Sequence, residues 1–231
     1  LFYLMQRFLV LLLSFPHLLF SVPQAYFHPP EGWQIADPKT YAPSVRIAFL
    51  LPRKGGFTPS LNLAEEEGVM DLDDYAEAVR KIHLSDPKNR WRKLGSLQTR
   101  SGKALLTEIE TQSNTRPIRL LQLLFLHEQS AYILTAAAPR EEMGSLGKTF
   151  LNAFKSFTIT ENLLESIPEK ERREALYQTL LEFKEKSKES RFQEEVWNPF
   201  QKRFLSEFND MGAYWQLLLL KYFQEELKKK V

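Results

Sequence analysis

Cysteine is absent from this chain of 231 residues. Its absence excludes a disulfide-stabilised scaffold, a thiol nucleophile, and zinc or iron–sulfur sites built on thiolates. It also excludes lipid attachment to an N-terminal cysteine. Any attachment to a membrane must therefore come from hydrophobic segments of the chain.

A large excess of charge of either sign is also absent. The chain has 31 Lys+Arg and 29 Asp+Glu, so its net charge gives no indication of nucleic-acid binding. Apolar residues make up 43% and charged residues 26% of the chain, as in ordinary globular proteins. The composition therefore predicts a folded chain with room for one domain and a smaller unit.

Long hydrophobic runs are confined to the start of the sequence. Arg7 precedes an apolar stretch from Phe8 to Val22, which is the arrangement of a secretory signal. This stretch is shorter and more interrupted than a membrane span of about 20 residues. We expect export to the periplasm or cell envelope, with cleavage after Ala25. The alternative is that residues 1–25 remain uncleaved as an N-terminal anchor.

Residues 26–160 combine strand and helix patterns. Asp71 resembles a helix N-cap followed by acidic residues, and a second helix is predicted over residues 140–154. Turn signals at Ser101-Gly102 and Pro117 separate consecutive strand patterns, so a meander of antiparallel strands is the simplest topology. The predicted strands are residues 45–51, 60–65, 91–99, 103–111, 118–127 and 131–137.

Residues 161–231 show helical periodicity only. Ser166 and Glu169 have the spacing of a capping box. Apolar residues then recur every four positions from Phe192 to Phe208, interrupted at Asn198-Pro199 by either a new cap or a kink. A last helix is predicted over residues 213–230. We therefore expect three units, namely residues 1–25, 26–160 and 161–231.

Several short motifs in residues 26–160 together resemble the PsbP/Mog1-like superfamily, which includes PsbP, Mog1, DcrB and LpqN type domains. Each motif is degenerate, and the resemblance rests on their order and spacing over about 130 residues. The matching segments are Pro30-Glu31-Gly32-Trp33, Val45 to Leu51, Pro59 to Leu63, Leu72 to Ala76, Gly102-Lys103-Ala104, Ala131 to Ala136, and Phe154 to Phe157.

The resemblance implies an α+β fold in which an antiparallel sheet has helices on both faces, an α-β-α sandwich. It also implies a binding or assembly factor rather than an enzyme, although a fold by itself does not define a function. The helices after residue 160 lie outside the superfamily pattern. They are expected to form an all-α C-terminal extension.

No motif in the sequence predicts catalysis. Gly144 to Thr149 ends like a phosphate-binding loop, but Glu142 stands where that loop needs glycine, so a helix is expected there. The acidic residues from Glu65 to Asp74 lack the spacing of a calcium loop, and capping by Asp71 accounts for part of them. We predict no metal, no cofactor and no enzymatic activity. A hydrolase whose site is assembled only by the fold is an alternative.

A basic cluster around an aromatic residue is the candidate for partner binding. It could contact an acidic protein, an anionic membrane surface or nucleic acid, and export argues against nucleic acid. The alternative is a solvated loop with the aromatic ring packed at a sheet edge. The candidate partner-binding residues are Lys88, Arg90, Trp91, Arg92, Lys93 and Trp215.

Trp215 belongs to the last predicted helix, which is apolar around most of its circumference. Such a helix is usually buried, so packing against its neighbours is the first expectation, and a groove-binding or membrane-surface helix is the alternative. We predict an exported, non-enzymatic binding or assembly module that acts through protein–protein contacts in a bacterial envelope. A membrane-associated structural protein is a further alternative.

Overall fold

A computed structural model describes residues 23–69, 71–113, 116–186 and 192–228. Seven antiparallel strands form one sheet in the order β2-β3-β4-β8-β7-β6-β5, and β1 and β9 form a separate pair. The strands are β1 (Gln24–Tyr26), β2 (Gln34–Ile35), β3 (Val45–Leu50), β4 (Ser60–Glu67), β5 (Arg90–Thr99), β6 (Gly102–Ser113), β7 (Arg116–His127), β8 (Ser130–Pro139) and β9 (Thr158–Thr160). The helices are α1 (Leu72–Leu84), α2 (Met143–Lys155), α3 (Lys170–Lys186), α4 (Asn198–Glu207) and α5 (Gly212–Lys228).

The predicted meander is present as β5 to β8. Each of these strands pairs antiparallel with the next in the chain. Gly102 begins β6 with φ 131°, a backbone conformation that residues other than glycine rarely adopt. The β5–β6 turn therefore falls where the sequence signal placed it.

Helices cover both faces of the sheet, which confirms the predicted α+β class. On one face α1 packs through Ala76 against a small cluster that includes Leu105 and Leu124. On the other face Leu121 and Leu123 join the main core, with α2 and the C-terminal helices. Successive residues of β7 contribute to opposite clusters because strand side chains alternate between faces.

The start of α1 has the predicted cap. The Asp71 carboxylate accepts a hydrogen bond from the Asp74 backbone N–H at 2.9 Å, and Asp73 and Asp74 occupy the first turn. Negative charge there is favourable because the first amide groups of a helix point outward with partial positive charge. The acidic cluster thus has a structural role in beginning this helix.

The C-terminal helices share a core with the sheet. The ring of Tyr214 lies edge-on to Phe49 of β3, with centroids 5.1 Å apart, and Phe183 of α3 stacks on Phe200 of α4 at 4.0 Å. Phe204 is fully buried in the same cluster. These contacts agree with the expected packing of the tail, and the division into units at residue 160 stays a prediction.

The predicted capping box at Ser166 and Glu169 is wrong. Ser166 instead ends a short 3₁₀ helix, Leu163–Ser166, whose cap is Asn162. The first α-helical hydrogen bond of the next helix runs from the Arg173 N–H to the Glu169 carbonyl. The spacing matched a cap, but the preceding turn uses a different side chain.

The new cap considered for Asn198-Pro199 is not formed, because Trp197 before α4 has a helical backbone conformation and makes no side-chain capping hydrogen bond. A π-helical turn, Phe192–Trp197, continues directly into α4. Pro199 lies in the first turn of α4, where it has no intrahelical N–H bond to lose. The sequence also predicts a helix break over residues 187–190, which lie outside the described residues.

The predicted cleavage point falls inside a short strand. Ala25 pairs with Ile159, and Gln24 pairs with Thr160. Residues 1–22, which carry the predicted signal, lie outside the described residues. Among the helices of the four described ranges, none is long and apolar enough to cross a bilayer.

Candidate protein-binding surface

The outermost strand of the sheet, β5, carries most of the predicted basic cluster. It begins at Arg90, and most of its ten residues are exposed. Lys88 lies in the turn just before it, where its backbone N–H donates to the Asp86 carboxylate at 2.9 Å. The fold therefore brings five of the six candidate residues to one sheet edge.

Strand alternation divides this cluster between the two sheet faces. Trp91 is opposite Ile109 on the face covered by α1, and its indole nitrogen is buried without a hydrogen-bond partner among the described residues. Lys93 lies on that same face and pairs with Asp73 of α1 at 3.1 Å. The half-buried Trp91 ring is consistent with the packing alternative considered for it.

The other face of β5 presents Arg90 and Arg92 to two glutamates of β6. Arg90 is opposite Glu110, and Arg92 is opposite Glu108. In a strand pair, directly opposed residues have Cβ atoms about 4.5–5.5 Å apart on the same face. The Arg92 guanidinium lies 2.6 Å from the Glu108 carboxylate.

Two further arginines extend this arrangement across the sheet. Arg119 of β7 is opposite Glu110, with a nitrogen 2.6 Å from its carboxylate and its Nε 3.5 Å from Glu108. Arg140, just after β8, lies 3.9 Å from Glu110. We name the set the arginine ladder, and its members are Arg90, Arg92, Arg119, Arg140, Glu108 and Glu110.

The arginine ladder holds more positive than negative charge. Four guanidinium groups face two carboxylates, which leaves an excess of two positive charges. The Glu108 side chain is only 5% exposed, whereas those of Arg92 and Arg140 are 62% and 60% exposed. Glu108 thus lies beneath the arginines, Glu110 is 27% exposed, and the excess charge of the surface is positive.

Glu110 is held in its ionised form within this arrangement. The hydrogen bond from Arg119 has the largest effect and lowers the pKa of Glu110, burial opposes it as the second-largest effect, and the charges of Arg140, Arg119 and Arg90 lower the pKa further. Guanidinium groups bind carboxylates in a planar, two-pronged geometry. The outer arginines can therefore accept acidic groups of a second molecule while the inner ones are held in place.

A β-bulge interrupts the edge of β5 beside the ladder. The register shifts between Lys93 and Gly95, and Leu94, the extra residue, is 42% exposed. Gly95 adopts φ 126, which favours glycine. Bulges and edge lysines oppose the addition of a further flat strand. The geometry favours binding through side chains over extension of the sheet.

Trp215 lies apart from the β5 edge. It lines an open groove of about 700 Å³ at the opposite edge, where β2 meets the start of α5, together with Trp33 and Tyr214. Its ring is 5.3 Å from that of Tyr26. The sixth candidate residue therefore does not form one site with the other five.

The structure does not assemble the histidines into a hydrolytic site among the described residues. Burial, with a smaller effect of Arg100, lowers the pKa of His28, whose Nε2 is 3.2 Å from that guanidinium. Burial lowers the pKa of His83. None of three depressions in the described part of the chain is lined by a hydroxyl side chain, a histidine and a carboxylate together.

One further motif adopts the expected local structure. Gly144 to Thr149, the segment that ends like a phosphate-binding loop, lies within α2. Among the residues described, no group of three or more histidine, aspartate or glutamate side chains could hold a metal ion.

Sequence reasoning missed Glu108, Glu110, Arg119 and Arg140. A signal for the glutamates was present, because they alternate with Thr107 and Ile109 in a predicted strand and so share one face. Their proximity to four arginines was not visible in the sequence. It depends on strand order, register and the position of the β8–α2 turn.

Comparison with known proteins gives similarity of fold alone. No protein-family model and no curated protein matches the chain. A crystal structure of LpqN, involved in cell envelope biogenesis of Mycobacterium tuberculosis, is similar with a TM-score of 0.47 and 15% identity over 61% of this chain and 85% of that one. Cyanobacterial PsbP from Synechocystis has a TM-score of 0.40 and 15% identity, covering 61% and 94% of the two chains.

The Ran-binding protein Mog1p of Saccharomyces cerevisiae is also similar. Its TM-score is 0.42 at 12% identity, over 58% of this chain and 89% of that one. These structures are of the PsbP, Mog1 and LpqN types that the sequence resemblance also names. The matches span about three fifths of the present chain.

Proposed function

We propose that this protein is a non-enzymatic binding or assembly module that docks an acidic segment of a partner protein on the arginine ladder. The observation that carries the proposal is the convergence of four arginines from two strands and a turn over only two carboxylates. The excess charge is exposed, whereas the glutamates that orient it are largely covered.

A purely structural role explains only part of this arrangement. Arg119 and Arg92 make short contacts with the glutamates, and these contacts hold neighbouring strands together. Arg90 makes no ion pair with any residue in the described ranges, and Arg140 is 3.9 Å from its nearest carboxylate. Two exposed arginines therefore remain available to a partner. Exposed ion pairs contribute only about 0–1 kcal/mol each to folding.

The proposed location is the periplasm or the bacterial cell envelope. Its support is the sequence pattern of Arg7 followed by the apolar stretch from Phe8 to Val22. Fractionation of the producing cells, with sequencing of the protein's N-terminus, tests this part. Recovery of uncleaved chain in the cytosolic fraction would contradict export.

Photo-crosslinking tests the docking surface directly. A photoreactive residue replaces Leu94, which is 42% exposed beside the ladder, and in a matched control it replaces Leu205 of α4, which is 38% exposed. We expect a discrete adduct with one protein from position 94 and none from position 205. Mass spectrometry then identifies the partner and its contact segment.

Charge reversal separates specific docking from chance proximity. The double substitution Arg90→Glu and Arg140→Glu should abolish the adduct at position 94 while the chain stays folded, which circular dichroism verifies. The proposal fails if the adduct survives this change, if position 205 yields the same adduct, or if position 94 yields none.

A further inference from the structure

A second cavity lies between the sheet and the C-terminal helix α5, on the opposite side of the molecule from the β5 edge. Its volume is about 340 Å³, within the range of pockets that hold small ligands. Its apolar lining comes from β1, β2, β3, β4 and α5, and consists of Ala25, Ile35, Ile47, Leu63, Leu217 and Leu218. The cavity therefore exists only because α5 packs over this part of the sheet.

Its rim is charged, and a β-bulge places one of the charges there. Val45 packs with the small cluster under α1, whereas Ile47 belongs to the main core on the other face. Regular alternation would put both residues on the same face. The register shift between them brings Arg46 to the cavity, where it lies 3.1 Å from Glu65.

The rim carries one more negative than positive charge. Arg46 pairs with Glu65, and Lys221 lies 3.9 Å from Glu225. Glu67 also lines the cavity, is exposed, and makes no ion pair with any residue of the described ranges. An apolar slot that ends at an uncompensated carboxylate is complementary to a hydrophobic group bearing one amine.

We infer that this cavity binds a small amphipathic amine, with the hydrocarbon part between Leu63 and Leu218 and the ammonium group at Glu67. The gain from the apolar part follows the area removed from water. The amine contributes a single exposed ion pair, so it sets selectivity more than affinity. This site is separate from the arginine ladder and does not depend on the function proposed for it.

Three probes with the same ten-carbon tail test the inference: n-decylamine, 1-decanol and decanoate. Their binding to the full chain is measured by isothermal titration calorimetry at low ionic strength. We expect n-decylamine to bind roughly threefold to fivefold tighter than 1-decanol, which corresponds to one exposed ion pair. Decanoate should bind most weakly, and added salt should reduce the amine preference.

Two variants and a control assign the binding to this cavity. Glu67→Gln should make n-decylamine and 1-decanol bind equally, and Glu31→Gln, an exposed carboxylate outside the cavity, should leave the preference intact. Ala25→Leu fills the cavity and should weaken all three probes at least tenfold, with circular dichroism verifying its fold. The inference is overturned if no probe binds, if decanoate binds tightest, if the preference survives Glu67→Gln, or if folded Ala25→Leu binds as well as the parent chain.

Discussion

Replacement of Tyr214 by phenylalanine probes how firmly the C-terminal helices are joined to the sheet. Tyr214 is at the start of α5, is 7% exposed, and its hydroxyl oxygen accepts a hydrogen bond from the Phe27 backbone N–H at 3.2 Å. Phe27 follows β1 and is fully buried. The bond therefore links the last helix to the segment that leads into the sheet.

The expected magnitude follows from what the substitution leaves behind. Phenylalanine keeps the ring and its edge-on contact with Phe49, but the Phe27 N–H loses its acceptor in a buried place. An orphaned buried polar group costs about 1–3 kcal/mol. We expect Tyr214→Phe to lower the free energy of unfolding by that amount, with the native contacts otherwise retained.

Urea denaturation followed by two probes measures this effect. Far-ultraviolet circular dichroism reports all secondary structure, and tryptophan fluorescence, with Trp33 and Trp91 replaced by phenylalanine in every chain compared, reports the cores around Trp197 and Trp215. Both midpoints should shift together, because one hydrophobic cluster includes sheet and helices. Tyr75→Phe is the matched control, since its hydroxyl donates to Glu66 at the surface and its loss should cost little.

Two results would refute the reasoning. An unchanged free energy of unfolding in Tyr214→Phe would mean that the bond to Phe27 contributes nothing. A fluorescence transition that shifts while the circular dichroism transition stays in place would mean that the helices unfold independently of the sheet. That second outcome would instead support residues 161–231 as a separate unit.

Three further predictions follow from the same contacts. Phe204→Ala should lower the free energy of unfolding by about 3–5 kcal/mol, because the ring is fully buried against Phe223 and Phe208. Chemical denaturation measures this change, and Leu205→Ala, at an exposed position, is the control. Burial raises the pKa of Tyr214 above its value near 10 in the unfolded chain. The contribution of the neutral Tyr214 hydroxyl to stability is therefore complete below pH 10 and is lost as the pH rises further. Melting temperatures that stay level between pH 9 and pH 12 would contradict this. A chain starting at Tyr26 should melt below one starting at Pro23, because it lacks the pairs of Gln24 and Ala25 with β9; equal melting temperatures would show that these pairs contribute nothing.

Local features of the fold could be predicted from the sequence because each depends on residues that are close together in the chain. The cap at Asp71, the turn at Gly102 and the strand alternation from Leu105 to Leu124 each depend on a few neighbouring residues. The false capping box at Ser166 marks the limit of such patterns. The spacing was correct, but Asn162 had already capped the preceding 3₁₀ turn.

Only part of the candidate surface could be predicted from the sequence in the same way. Lys88, Arg90, Trp91, Arg92 and Lys93 are adjacent in sequence, and their clustering needed no fold. Their division between two faces follows from the strand period, which the sequence also carries. Trp215 could not be assigned to a site, because its neighbours come from β1 and β2, nearly two hundred residues earlier.

The sequence by itself determined the six longer strands, β3 to β8, the absence of thiol chemistry and the basic character of the segment before and within β5, whereas the short strands β1, β2 and β9 were not predicted. Tertiary structure decided which charges meet. Arg119 and Arg140 reach Glu110 only because β7 pairs with β6 and the turn after β8 returns to the start of β7. The cavity beside Glu67 likewise depends on α5 crossing β3 and β4. Short-range periodicity specifies secondary structure, whereas a site built from distant segments depends on the register and packing that join them.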